Sequence, residues 1–302
     1  MRTSQFNISD PLAAHARVKD IVSASGTSFF WAMRLLPIER RQAIFSVYAF
    51  CRLVDDVADE DGLDTDKRAA LNDWRSAISG LFQTPQIFTP TDENMAATLL
   101  ILSGAVKDYG LIEDDFQAVI DGMEMDAHGP VALKTMDALD LYCDRVASAV
   151  GRLCVPIFGQ PDAKGRLVAD HLGRALQLTN IIRDVPEDAG IDRLYLPQDL
   201  LAKYEMDNKT PSEVASHPNL PRVMTELGAL AQSRYDSADS AIAQCDAKAM
   251  RAPIVMMKVY YQNLKRLKSV GWQPQTLRAQ GKMTKTMRKA EKLIIGLRYG
   301  LF

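Results

Sequence analysis

Four cysteines and four histidines give this 302-residue chain little with which to hold a soft metal or build a thiolate nucleophile. Cys51, Cys143, Cys154 and Cys245 form no CxxC pair and no zinc-type spacing. That excludes a zinc ribbon or thioredoxin-like motif and predicts reduced, structural thiols. The histidines are scattered, so no two of them read as a ligand pair. No apolar run approaches the roughly 18–20 residues that span a bilayer; "LLILSGAV", Leu99–Val106, is among the longest. The opening residues, "MRTSQFNISDPLAAH", contain no apolar stretch of a secretion signal, so a cytoplasmic location is expected. Strand-like alternation is nearly absent, and no Gly-rich loop follows a strand, so nothing argues for NADPH. There is no internal repeat of solenoid period.

What the chain does have is helical pattern. Hydrophobic residues make up 47% and charged residues 25%, which is ordinary globular usage. Apolar positions recur at three and four in Phe29–Met33–Leu36, Ile44–Val47–Tyr48, Leu71–Trp74–Ile78–Leu81, Leu139–Tyr142–Val146–Val150 and Leu227–Leu230–Ala231. Pro, Gly and Asn gather at residues 83–94, 128–130, 159–165, 194–197 and 217–221, and these mark breaks too short for a domain linker. The prediction is a single all-α domain over residues 1–302, of roughly ten or more helices. From Lys248 onward there are thirteen Lys and Arg against one acid, Glu291, a net of +12, whereas the preceding 247 residues carry −14. Residues 273–302 are a basic amphipathic C-terminal segment, in which "GKMTKTMRKAEKLIIGLRYGLF", residues 281–302, reads as a helix. It is suited to an anionic membrane surface or to packing on the acidic body, and nothing points to nucleic acid.

Two polar rows interrupt the apolar pattern. In "YAFCRLVDDVADE", Tyr48, Arg52, Asp55 and Asp59 follow steps of four, three and four along one helix face. In "QLTNIIRDVPED", Gln177, Asn180, Asp184 and Asp188 do the same, provided the helix survives Pro186. That proline lacks the N–H a helix would direct at Ile182, so a kink or helix end is expected near Val185. One Asp-x-x-x-Asp pair is an everyday occurrence, but two with polar companions on the same face are not. Oxygen donors without thiolate or imidazole select Mg²⁺, which keeps coordination positions for water and substrate phosphates. Arg52, Arg183 and Arg193 add guanidinium forks that match phosphate oxygens. The combination reads as diphosphate bound through Mg²⁺ in a helical bundle.

These two rows, with "RLYLP" at Arg193–Pro197 and "YCDRVASAVG" at Tyr142–Gly151, resemble the signatures of the squalene/phytoene synthase family along almost the whole chain. The resemblance implies an all-α isoprenoid-synthase bundle with a central apolar cavity and head-to-head joining of two prenyl diphosphates. It also implies roles. Asp55 and Asp59, and Asp184 and Asp188 with Asn180, would hold two or three Mg²⁺ ions on the diphosphates. Tyr48, Arg52, Gln177, Arg183 and Arg193 would contact diphosphate, with Ser28 and Phe29 in the substrate-binding segment. Tyr142 would assist proton removal. Many relatives carry a lysine in the segment where this chain has Thr27, which removes one diphosphate contact. "SGTSFFWAMRLLP", "IDGMEMD" and the ending "GLRYGLF" are most similar to bacterial members that turn two farnesyl diphosphates into a cyclopropyl diphosphate and leave squalene formation to downstream enzymes. The signatures also fit joining two geranylgeranyl diphosphates, or onward reduction with NADPH. A non-catalytic assembly factor would have no use for the four aspartates.

Overall fold

The computed structural model describes residues 10–25, 33, 36–59, 62–127 and 133–273. Thr27, Ser28, Phe29 and nearly all of the basic segment, residues 274–302, lie outside the described residues. The described residues form twelve α-helices and one π-helical turn, with no strand among them. None of these helices is long and apolar enough to cross a membrane. The chain divides into two compact units. The first comprises residues 1–129 and 149–166, and the second comprises residues 130–148 and 167–302.

The first unit contains α1 (Pro11–Ala24), α2 (Ile38–Asp59), α3 (Asp64–Leu81), α4 (Glu93–Tyr109), α5 (Glu113–Ala127) and α7 (Ala149–Phe158). α2 is its axis and packs against the other five. It starts where the Pro37 carbonyl accepts from Arg41 N–H at 2.8 Å, and it buries Ala43, Val47, Phe50 and Val54. Phe50 is fully enclosed. It meets Trp74 and Phe116 edge to face at 5.6 and 5.2 Å, the geometry that aromatic quadrupoles favour. The buried carboxylate of Asp115 accepts from Arg152 Nε at 2.6 Å and Arg166 Nη1 at 2.8 Å, which ties α5 to α7 and to the start of the next long helix. A charge so deeply buried is tolerable only when paired in this way.

The second unit contains α6 (Met136–Cys143), the π-turn (Asp144–Ser148), most of α8 (Ala163–Gly190), α9 (Gln198–Lys203), α10 (Pro211–Ala215), α11 (Leu220–Ile242) and α12 (Arg251–Ser269). α8 opens on Asp162, whose Oδ1 accepts from the N–H groups of Lys164 and Gly165 at 3.1 Å. Of the kink or helix end expected near Val185, the end does not occur: α8 runs through Pro186 to Gly190. The proline lies in the last two turns, so little helix follows the bond it forgoes, and the end beyond it is separately closed. Asp192, at φ 58°, donates its N–H to Ala189 O at 3.2 Å, and Arg193 donates to Asp188 O at 2.8 Å. This is a Schellman closure with aspartate in the left-handed position usually taken by glycine.

Candidate active site

α2 carries the first acidic row. Asp55, Asp56 and Asp59 fall in its last five residues, and no basic residue occupies its last turn. The C-terminal end is the negative pole of a helix, where an exposed carboxylate is unfavourable by about 0.3–1 kcal/mol. Arg52 offsets part of this, lying 3.4 Å from Asp55 Oδ2 and ion-paired with Asp56. With side chains 36–42% exposed, these pairs contribute little stability. Tyr48 is half-buried one turn earlier, Asp59 is exposed, and Ala49, Phe50 and Val54 are buried beneath the row.

α8 carries the second row and repeats the pattern: Asp184, Glu187 and Asp188 fall in its last seven residues, again with no basic residue in the last turn. Because the helix survives Pro186, Asp188 stays in register with Gln177, Asn180 and Asp184. Arg183 folds across its own helix to clasp Asp184, Nε to Oδ1 at 2.7 Å and Nη2 to Oδ2 at 2.5 Å. Burial works against the Arg183 charge, but the hydrogen bond and charge of Asp184, with Tyr260 of α12, outweigh it and hold the guanidinium firmly protonated. One turn before Asp184, Asn180 Oδ1 is buried with no hydrogen-bond partner, and its Nδ2 reaches Gln177 Oε1 only at 3.5 Å. An orphaned amide oxygen costs about 1–3 kcal/mol, so a native fold seldom leaves one without a use. Among the described residues no three acidic, imidazole or thiol side chains converge into a ready-made metal cage. Mg²⁺ asks for less: one or two carboxylates, with phosphate and water oxygens completing its shell. The oxygens of Asp184, Asp188 and Asn180 fit that demand.

Tyr142 is 3% exposed, and its ring stacks on Tyr195 at 5.0 Å and 27°. It is the penultimate residue of α6, just before the π-turn. π-turns are rare and cluster at functional sites. Arg193 is anchored through its backbone to Asp188, which starts the segment that delivers Tyr195. Three neighbours escaped the sequence reading. Asp56 is signalled by its i,i+4 spacing from Arg52. Tyr195 sits inside "RLYLP", where only the arginine carries phosphate-binding chemistry. Tyr260 carries no local signal, being brought to Arg183 by the packing of the unit.

The fold is that of the all-α isoprenoid synthases. A dehydrosqualene synthase crystallised with a ligand is similar at 25% identity and TM-score 0.73, over 87% of this chain and 90% of that one. A squalene synthase from Alicyclobacillus acidocaldarius gives TM-score 0.76 at 22% identity, over 87% and 96%. The sequence model of the family "Squalene/phytoene synthase" matches residues 22–286. A presqualene diphosphate synthase of Rhodopseudomonas palustris is 42% identical over 291 residues, 96% of each chain. The chain belongs to the squalene/phytoene synthase family.

Proposed function

We propose that this protein joins two farnesyl diphosphates head to head into presqualene diphosphate, releasing one diphosphate, in the branch that leads to squalene and hopanoids. The observation that carries the reading is the 96% coverage at 42% identity with a presqualene diphosphate synthase, in a chain that has every polar residue of both rows. Asp55 and Asp59, and Asp184 and Asp188 with Asn180 Oδ1, are the residues that would hold Mg²⁺. The ions, when bound, neutralise the charge that grows on a departing diphosphate. Tyr48, Arg52, Gln177, Arg183 and Arg193 orient the diphosphates. Arg183 does so by exchanging its Asp184 clasp for phosphate oxygens. Ser28 and Phe29 belong to the same substrate-binding proposal.

The C1–O bond of one substrate breaks and its electron pair leaves with diphosphate. The allylic cation so formed is attacked by the 2,3 double bond of the second substrate, which joins C1′ to C2 and moves the charge to C3. A proton then leaves C1′, and that C–H electron pair closes the cyclopropane. Tyr142 sits at this step. A phenol with an ordinary pKa of about 10 is a weak base at neutral pH, so Tyr142 relays the proton toward the departed diphosphate, the final acceptor. Exclusion of water protects the cation throughout.

The same proposal treats residues 1–302 as one prenyl-synthase domain in the cytoplasm. Its basic C-terminal segment rests reversibly on anionic membrane, where lipophilic product passes to squalene-forming enzymes. The test incubates the purified protein with farnesyl or geranylgeranyl diphosphate and Mg²⁺, with and without NADPH, and identifies the lipid. Presqualene diphosphate from the C15 substrate, with or without NADPH, is expected. A C40 product, squalene made with NADPH, or no diphosphate release would overturn the reading.

A further inference from the structure

One arginine reaches both α6 and the turn after Tyr142. Arg174, on α8 and only 16% exposed, uses its whole guanidinium on α6 and the π-turn. Nε donates to both oxygens of Asp140 at 3.0 and 3.1 Å, and Nη2 pairs with Asp144 Oδ1 at 3.0 Å. Nη1 donates to Ser148 Oγ and to the Asp170 carbonyl, both at 3.2 Å. Ser148 Oγ also donates to Asp170 O at 3.0 Å, and Arg234 braces Asp140 from α11 at 2.9 Å. Asp140 and Asp144 lie two residues before and two after Tyr142. In helical register they share the face opposite the phenol, so the grip on them turns Tyr142 toward Tyr195.

The neighbouring residue makes this grip possible. A Cβ on Gly173 would lie 2.5 Å from Ser148 Cα and 2.6 Å from Ser148 N, closer than real side chains approach. Only glycine lets α8 lie directly on the π-turn backbone. The π-turn inserts one residue into the helix and rotates everything before it relative to everything after, at an energetic cost that an ordinary connection would avoid.

We propose that Arg174, seated by Gly173 and Ser148, is the positioning group for Tyr142. It pins the π-turn in the one register that aims the phenol, and it acts on the reaction only through that residue. The inference rests on the function proposed above for Tyr142.

Arg174→Gln, Arg174→Lys and Ser148→Ala are compared with the wild type and in a Tyr142→Phe background, using the full chain, Mg²⁺ and farnesyl diphosphate. Hydrogen exchange is followed at residues 140–148. Arg174→Gln is expected to lower kcat by about 30-fold or more with KM changed less than about threefold, the split that marks loss at the chemical step. Arg174→Lys, which keeps charge but not the fork, recovers part of that loss. In the Tyr142→Phe background the same change costs less than about threefold, because two residues acting through one group are not additive. Exchange at 140–148 accelerates in Arg174→Gln. An equal loss of kcat in both backgrounds, or a matching rise in KM, makes Arg174 merely structural and overturns the proposal. Unchanged exchange overturns the brace itself. Wild-type turnover in Tyr142→Phe alone would instead remove the role given to Tyr142, leaving exchange to judge the brace. Should Arg174→Gln fail to fold, Arg174→Lys and Ser148→Ala carry the same comparisons.

Discussion

Replacing Asn180 with leucine should make the ligand-free protein more stable and leave it unable to respond to its ligand. Asn180 Oδ1 is buried without a partner, and the companion Nδ2 holds only a 3.5 Å contact to Gln177. Leucine is of similar shape and removes the orphan, whose cost is about 1–3 kcal/mol. Subtracting the weak contact to Gln177 leaves a net gain of about 1–2 kcal/mol. At about 2–4 °C per kcal/mol for units of this size, Tm without ligand should rise by about 2–8 °C. Mg²⁺ with inorganic diphosphate has the opposite signature. At 100 times Kd it stabilises the wild type by about 2.7 kcal/mol, and Asn180→Leu should lose most of that shift along with turnover. Differential scanning fluorimetry with no addition, with Mg²⁺ alone, and with Mg²⁺ plus diphosphate reads all of these quantities. A variant that melts at or below the wild type has no orphan to relieve. One that keeps the full ligand shift shows that Asn180 does not serve the metal–diphosphate group. Either result refutes the reasoning.

Arg183→Gln removes a guanidinium that hydrogen-bonds a carboxylate at 2.5 and 2.7 Å. Charge-assisted bonds of about 1.5–3 kcal/mol predict roughly a 10- to 150-fold rise in KM for farnesyl diphosphate, and steady-state kinetics with unchanged KM would contradict the exchange of partners. Gly228→Ala places a Cβ 2.1 Å from Cη2 of Trp272, a buried residue at φ 60° with little freedom to retreat. The overpacking, about 3 kcal/mol, exceeds the helix-propensity gain of about 0.5–1 kcal/mol, so a Tm equal to the wild type would show that the indole yields. Burial pushes the thiols of Cys143 and Cys154 up to about 12. In the unfolded chain a thiol ionises near 8.5, so above that pH the unfolded state holds fewer protons. Stability therefore falls as pH rises from about 8.5 toward 12, by about 1.4 kcal/mol per unit for each thiol. Urea midpoints across that range should decline less steeply in Cys154→Ala, and an unaltered slope would count against burial as the cause.

Much of this architecture is written in local pattern. Apolar residues at three and four specify helices, and the Pro, Gly and Asn clusters read at residues 83–94, 159–165 and 217–221 overlap the breaks between helices. The two acidic rows are legible because i,i+3 and i,i+4 spacing is a property of the chain itself, and so is the family they signal. At Pro186 local chemistry allows a kink or a helix end, and the end does not occur. The proline's missing N–H is real, yet the Schellman closure at Asp192 and Arg193 secures the helix end beyond it.

Partner choice was decided by tertiary structure. Arg52 has both Asp55 and Asp56 within reach of one turn, and only side-chain placement gives Asp56 the closer pair. Tyr195 and Tyr260 reach Tyr142 and Arg183 across 53 and 77 residues, a distance over which sequence spacing carries no direction. The π-turn differs from an α-turn by one residue of register, which no periodicity resolves, and it is held by Gly173 and Arg174, some 25 residues downstream. Helical spacing tells which side chains share a face. What that face meets is fixed by the packing of elements remote in the chain.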